Sequence, residues 1–229
     1  GDAVTYFLSA GLTDQKGFQK NDDYKKYNFR ANVDAKVNDW LNIGTQTFIT
    51  VSDYSVISSG TGIPFAVQPW APATDADGQF LPNPEGGWLN PHLTIQQEDS
   101  DIRTNFFNTL FAKVKLPIEG LIYTMNYSNN LRRSDRSVFN PNANSFQGSA
   151  SKSHGIARDW TFDNILNYSK TFNNDHNVNV TLLYGSSETT STSTVASARN
   201  FVVDFLGYDK LEAGDPSLNG VNSGKSVSN

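Results

Sequence analysis

The 229-residue chain carries 18 Lys and Arg against 23 Asp and Glu, a net charge of -5, and no cysteine. Its basic residues are scattered, with Lys25-Lys26 and Arg132-Arg133 the densest pairs, so the basic stripe a nucleic-acid binder needs to neutralise phosphates is missing. Without Cys, disulfides, thiolate zinc sites and cysteine nucleophiles drop out together, and His92, His154 and His176 lack ordinary metal-ligand spacing.

No apolar run reaches the ~18 residues of a membrane-spanning helix. The opening Gly1-Asp2-Ala3, with no charged and then apolar leader, is what an excised or processed piece would show. A hydrophobic content of 37% suits a soluble domain, yet also a membrane β-barrel, whose strands meet lipid only on alternate residues.

In chain order, Thr5 to Leu12 is the first predicted strand, and Tyr27 to Val37 gives the clearest pattern. There Tyr27, Phe29, Ala31, Val33, Ala35 and Val37 alternate with Asn28, Arg30, Asn32, Asp34 and Lys36, a period of two that a helix would scramble. A tight turn at Asn38-Asp39-Trp40 leads into Leu41 to Val51, with Ile43, Thr45, Thr47, Ile49 and Val51 on one side. Further strands are predicted over Arg103 to Leu116, Leu121 to Leu131, Asp159 to Thr171 and Asn177 to Ser187, seven in all. The Ser/Thr-rich run Ser186 to Thr194 reads as a polar strand end passing into a loop.

Short connections at 38–40, 117–120 and 172–176 alternate with long ones at 13–26, 52–102 and 132–158. This alternation gathers the short turns on one rim and the long loops on the other, as in outer-membrane barrels, and strands near eleven residues are long enough to cross tilted. A loop of about fifty residues is foreign to a compact domain. The fold expected is therefore all-β, an antiparallel up-and-down meander forming part of a transmembrane β-barrel. The alternative is a soluble, secreted β-rich carbohydrate-binding module that leaves one sheet face in water.

Sites of chemistry are scarce. Asp75-Ala76-Asp77-Gly78 resembles the opening of a calcium loop, but the closing carboxylate is met only loosely by Glu85, and a plain Asp-Gly turn is the simpler reading. Trp70 and Trp88, in the Pro- and Gly-rich 52–102 stretch, are candidate ligand contacts that could stack on sugar rings, or else pack the loop against itself. Arg132, Arg133, Asp135 and Arg136 read as the solvated root of a loop, His154 has no sequence neighbour to work with, and Asp99 with Asp101 is a carboxylate pair without geometry. No catalytic constellation and no cofactor site emerge.

Two stretches are distinctive: Asp23-Tyr24-Lys25-Lys26-Tyr27-Asn28-Phe29-Arg30-Ala31-Asn32-Val33-Asp34, and Val37-Asn38-Asp39-Trp40-Leu41-Asn42-Ile43-Gly44. Together they resemble SusC-like TonB-dependent outer-membrane receptors, in which a strand of this type precedes a short turn and a Trp-Leu-x-x-Gly strand. Tyr6 to Leu12, Gly17, Ala198-Arg199-Asn200-Phe201 and Leu206-Gly207-Tyr208 extend the likeness over nearly the whole chain. The resemblance implies a nutrient importer of the Gram-negative outer membrane, in contact with membrane lipid, with a 22-stranded barrel around a plug. It implies a SusD-like surface lipoprotein as lid, energy from the TonB complex acting on the plug, and oligosaccharide or peptide as cargo. Neither plug nor TonB-interacting segment lies within residues 1–229, so no energy-coupling residue carries over.

Overall fold

The computed structural model describes residues 3–17, 23–55, 97–141, 148–173, 175–202 and 206–229, with isolated positions between 68 and 92. Eight strands form one antiparallel sheet in sequence order: β1 (Val4–Lys16), β2 (Asp23–Lys36), β3 (Leu41–Asp53), β4 (Glu98–Lys115), β5 (Leu121–Asn140), β6 (Ser149–Phe172), β7 (His176–Arg199) and β8 (Gly220–Ser228). The expected all-β meander is what the chain forms.

Each short turn has a local chemical cause. After β2, Asn38 Oδ1 accepts from the backbone N–H groups of Trp40 (3.0 Å) and Leu41 (2.8 Å), and Lys36 pairs with Asp39 at 2.8 Å. Between β4 and β5, Gly120 sits at φ 82°, a left-handed conformation that side chains resist, and the Leu121 N–H closes onto the Ile118 carbonyl at 3.0 Å. Asn173, at φ 51°, plays the corresponding part between β6 and β7.

Three differences from the sequence-based expectation share one cause. The 132–158 stretch, expected as a loop, is mostly strand: β5 runs on to Asn140 and β6 begins at Ser149. The Ser/Thr run from Ser186 likewise stays in β7 as far as Arg199. An eighth strand pairs Gly220–Ser228 with Ser197–Thr189. In all three places polar residues predominate on both faces, so the alternation that betrays a half-apolar strand is missing. The other two long connections shorten in the same way, to 17–22 after β1 and 54–97 after β3. At ~3.3 Å per residue, the 24 residues of β6 extend about 80 Å, far beyond a membrane crossing.

Only four described hydrophobic residues are buried: Phe139, Ala150, Ala198 and Phe201. They form one small cluster where the segment after β7 folds back over the far ends of β5, β6 and β7. Phe201 meets Phe139 edge-on at a centroid distance of 5.6 Å, with Tyr208 and Leu211 packed alongside. Among the described residues, no other layer covers the sheet. A compact 25.2 kDa monomer would expose about 10,000 Å², whereas this chain exposes 15181 Å².

Candidate functional site

The register sorts side chains onto two unlike faces. One carries Tyr6, Leu8 and Leu12 of β1, Tyr27 and Phe29 of β2, Ile43 of β3, Leu110 of β4, Tyr127 of β5, and Val178, Val180, Leu182 and Tyr184 of β7, all exposed. Phe29, which a soluble module would place in a core, is 42% exposed. Trp40 and Phe172 stand exposed beside the short turns, where a membrane barrel keeps an aromatic girdle. The other face reads Asn28, Arg30, Asn32 and Asp34 on β2, Gln46, Thr50 and Ser52 on β3, Arg103 and Asn105 on β4, and Asn126, Asn130 and Arg132 on β5. Phe7, Phe48, Phe107, Phe111 and Leu183 are among the apolar exceptions on this face.

Enclosed oxygens left without a partner fall on one face only among the described residues. Within the apolar face, Asn108 donates to the hydroxyls of Thr45 (2.9 Å) and Thr47 (2.7 Å), and the Tyr123 hydroxyl donates to Asn164 Oδ1 at 2.5 Å. Polar groups that face hydrocarbon need such internal partners, because lipid offers none. Among the described residues, the enclosed oxygens without any partner are Asn42 Oδ1, Thr50 Oγ1, Asn105 Oδ1, Asn130 Oδ1 and Asn167 Oδ1. All five project from the polar face. That face is built to be wetted or filled.

Its far half holds a groove of about 540 Å³ bordered by Lys26, Phe48, Thr50, Tyr54, Arg103, Asn105 and Arg132. Arg103 grips Asp101 through Nε (3.0 Å) and Nη2 (2.6 Å) and lies 4.7 Å over the Tyr54 ring. Arg132 reaches Asp159 at 2.6 Å, and Arg136 holds Asp99 with bonds of 3.2 and 2.7 Å. Arg30 covers the Phe48 ring at 5.4 Å. This ladder of forked cations and carboxylates fixes a charged surface; no set of three or more metal-ligating side chains gathers among the described residues.

Several sequence expectations change here. Arg132 and Arg136 belong to the groove face of a strand, while Arg133 and Asp135 turn to the opposite face, so they are not a loop root. His154, expected to stand alone, contacts Asp135 at 2.5 Å across the β5–β6 pair. Asp99 and Asp101 are arginine partners. Asp75 to Gly78 is a plain turn, with the Asp77 N–H on Asp75 Oδ1 at 3.0 Å and the Gly78 N–H on the Asp75 carbonyl at 3.2 Å. Trp70 is 73% exposed in a turn and does not border the groove; Trp88 lies outside the described residues. The groove is not legible in the sequence because its walls come from six strands, β2 to β7, and meet only through their register. The Arg132/Arg136 spacing, an even step on one strand, was the available hint.

No protein-family model matches the sequence. Among curated proteins it is similar to TonB-dependent receptor P26 of Formosa agariphila, 26% identical over 228 residues, covering 94% of this chain and 23% of that protein. It is also similar to TonB-dependent receptor P39 of the same organism, 25% identical over 189 residues, 78% of this chain and 18% of the other. Over most of its length the chain is thus similar to TonB-dependent receptors. This likeness places the chain in the Gram-negative outer membrane, and the apolar face described above is the barrel wall's lipid side. The stretch spans about a quarter or less of these relatives' length. Its fold matches structures of the RagAB peptide transporter (TM-score 0.73) and of the RagAB peptide importer in its closed-closed state (0.71) and open-open state (0.72). Each is 18% identical, with 98 to 99% of this chain covered and 27% of the other.

Proposed function

We propose that this chain forms part of the wall of an outer-membrane importer of oligosaccharides or similar nutrients, in which cargo passes along the polar face and no bond is made or broken. The observation that carries this is the sorting of the enclosed oxygens: among the described residues, all five that lack a partner project from the polar face and none from the apolar one. Residues 1–229 then contribute barrel wall, with the short turns on the periplasmic rim and the long connections outside. A SusD-like lipoprotein acting as a lid, and energy delivered by the TonB complex through a plug elsewhere in the receptor, complete the proposal. The Tyr27 to Gly44 likeness to SusC-like receptors supports both. Trp70 and Trp88 are proposed as cargo contacts on the outer connection, Trp70 being exposed enough to serve.

The test is uptake by cells with and without the full-length receptor. Labelled oligosaccharide and peptide pools should accumulate only when the receptor and a working TonB complex are both present. Equal accumulation in receptor-less cells would overturn the proposal. Loss of a sugar cargo's uptake in Trp70→Ala and Trp88→Ala, with normal receptor levels, is expected if those rings touch it.

A further inference from the structure

The groove on the polar face is more selective than a wetted wall requires. We infer that it is a subsite for an acidic peptide segment, received by Lys26 and by the unpartnered oxygens of Thr50 and Asn105; this rests on the import function proposed above and names a cargo chemistry for it.

Thr50 is 8% exposed, borders the groove, and its hydroxyl has no partner. Asn105 Oδ1 is enclosed and equally orphaned on the neighbouring strand, and Asn105 pairs directly with Thr50 in the β3–β4 register. An amide oxygen can only accept, so whatever fills this space brings an N–H or O–H donor. An unanswered acceptor of this kind carries a desolvation cost that a donor-bearing ligand removes.

The second requirement is negative charge. Arg103 and Arg132 are already engaged by Asp101 and Asp159, but Lys26 makes no ion pair among the described residues. Its half-buried stem comes from β2, directly opposite Ser52 in the register. The groove therefore offers acceptors in its floor and a spare ammonium at its edge. A peptide with Asp or Glu side chains supplies both complements, backbone N–H for the floor and carboxylate for the edge.

Aromatic chemistry argues against a sugar at this position. Neutral sugars stack on open ring faces, and both rings bordering the groove already have guanidinium groups over them, Arg103 on Tyr54 and Arg30 on Phe48.

The experiment uses full-length receptor purified in detergent, with fluorescence anisotropy of three probes: an acetylated Glu/Ser hexapeptide, its Gln/Ser counterpart, and an oligogalacturonide. The Glu peptide should bind about tenfold more tightly than the Gln peptide. Lys26→Gln should erase that preference, while Asn105→Leu should weaken both peptides alike. Heat-modifiable migration on gels verifies that each variant is folded. Equal binding of the two peptides, a preference unchanged by Lys26→Gln, or displacement by oligogalacturonide as effective as by the Glu peptide would each overturn the inference. So would failure of an aqueous maleimide to label Asn105→Cys, which would mean that the receptor's own chain fills the groove. Uptake by the receptor-deleted strain reads the import function separately: it stays receptor-dependent if only the subsite is wrong.

Discussion

The ring of Phe111 on β4 lies across the bare backbone of Gly44 on β3, its partner in the register. A side chain at Gly44 would put its Cβ 2.6 Å from Phe111 Cε1 and 2.5 Å from the Val33 carbonyl oxygen. The glycine thus provides the seat for a cross-strand aromatic, a device that pins register where both neighbours are polar. Gly44→Val should cost about 1–3 kcal/mol in urea unfolding of the receptor in vesicles. Adding Phe111→Ala should recover only part of this, because the Val33 carbonyl still stands in the way. Full recovery would show that the ring alone demands the glycine.

The two faces of β2 should label differently. In the full-length receptor in native membranes, Val33→Cys should react with a lipid-soluble reagent and Asn32→Cys with an aqueous one. Equal aqueous reactivity at both positions would remove the lipid side from this part of the wall.

Asn108 is the shared donor for Thr45 and Thr47 on the lipid side. Asn108→Ala strands two hydroxyls in hydrocarbon and should destabilise the wall by about 1–3 kcal/mol. The triple change Asn108→Leu, Thr45→Val, Thr47→Val removes donor and acceptors together and should be close to neutral. On the other face, Asn167→Leu deletes an oxygen that has no partner and should cost little. Chemical denaturation of the three variants side by side checks all of this.

Asp215, in the segment that follows β7, accepts from the Ser217 hydroxyl at 2.7 Å and the Ser217 N–H at 2.9 Å. The hydroxyl bond, followed by the backbone bond, holds its carboxyl below the ordinary aspartate range. Its folded value is depressed, so its contribution to holding this segment is present above the unfolded pKa and is lost as pH falls through the folded one. Ser217→Ala should raise the Asp215 midpoint in a carboxyl-carbon NMR titration. An unchanged midpoint would mean that the hydroxyl does not hold it.

Phe201 is 4% exposed against Phe139. Phe201→Ala should open a cavity worth about 3 kcal/mol in this small cluster. Because the cluster is separate from the lipid-facing rungs, the expected result is faster protease cutting near Val202 with barrel mobility on gels unchanged.

What the sequence discloses follows the solvent. From Tyr27 to Val51 one side of each strand meets lipid and the other water, so alternation marks these strands and turn chemistry at Asn38 marks the bend between them. Over Arg132 to Val138, Ser151 to Ala157 and Ser186 to Ser197, polar residues predominate on both faces. There Arg, Ser and Thr satisfy either face, and a strand is indistinguishable from a loop by composition. β8 was hidden for the same reason: Val221 and Val227 are its only apolar residues of any size. The groove was less legible still, since Lys26, Thr50, Asn105 and Arg132 sit far apart along the chain and become neighbours only when three pairings are fixed together.

β6 is bonded along its entire 24 residues to β5 or β7, from Ser149 at the far tip to Phe172 at the short turn. Force along such a strand loads many rungs at once in shear, whereas force across it would peel them singly. The tall hairpin is therefore a stiff cantilever: a displacement at its outer tip arrives at the lipid-level rungs as a tilt of the whole blade.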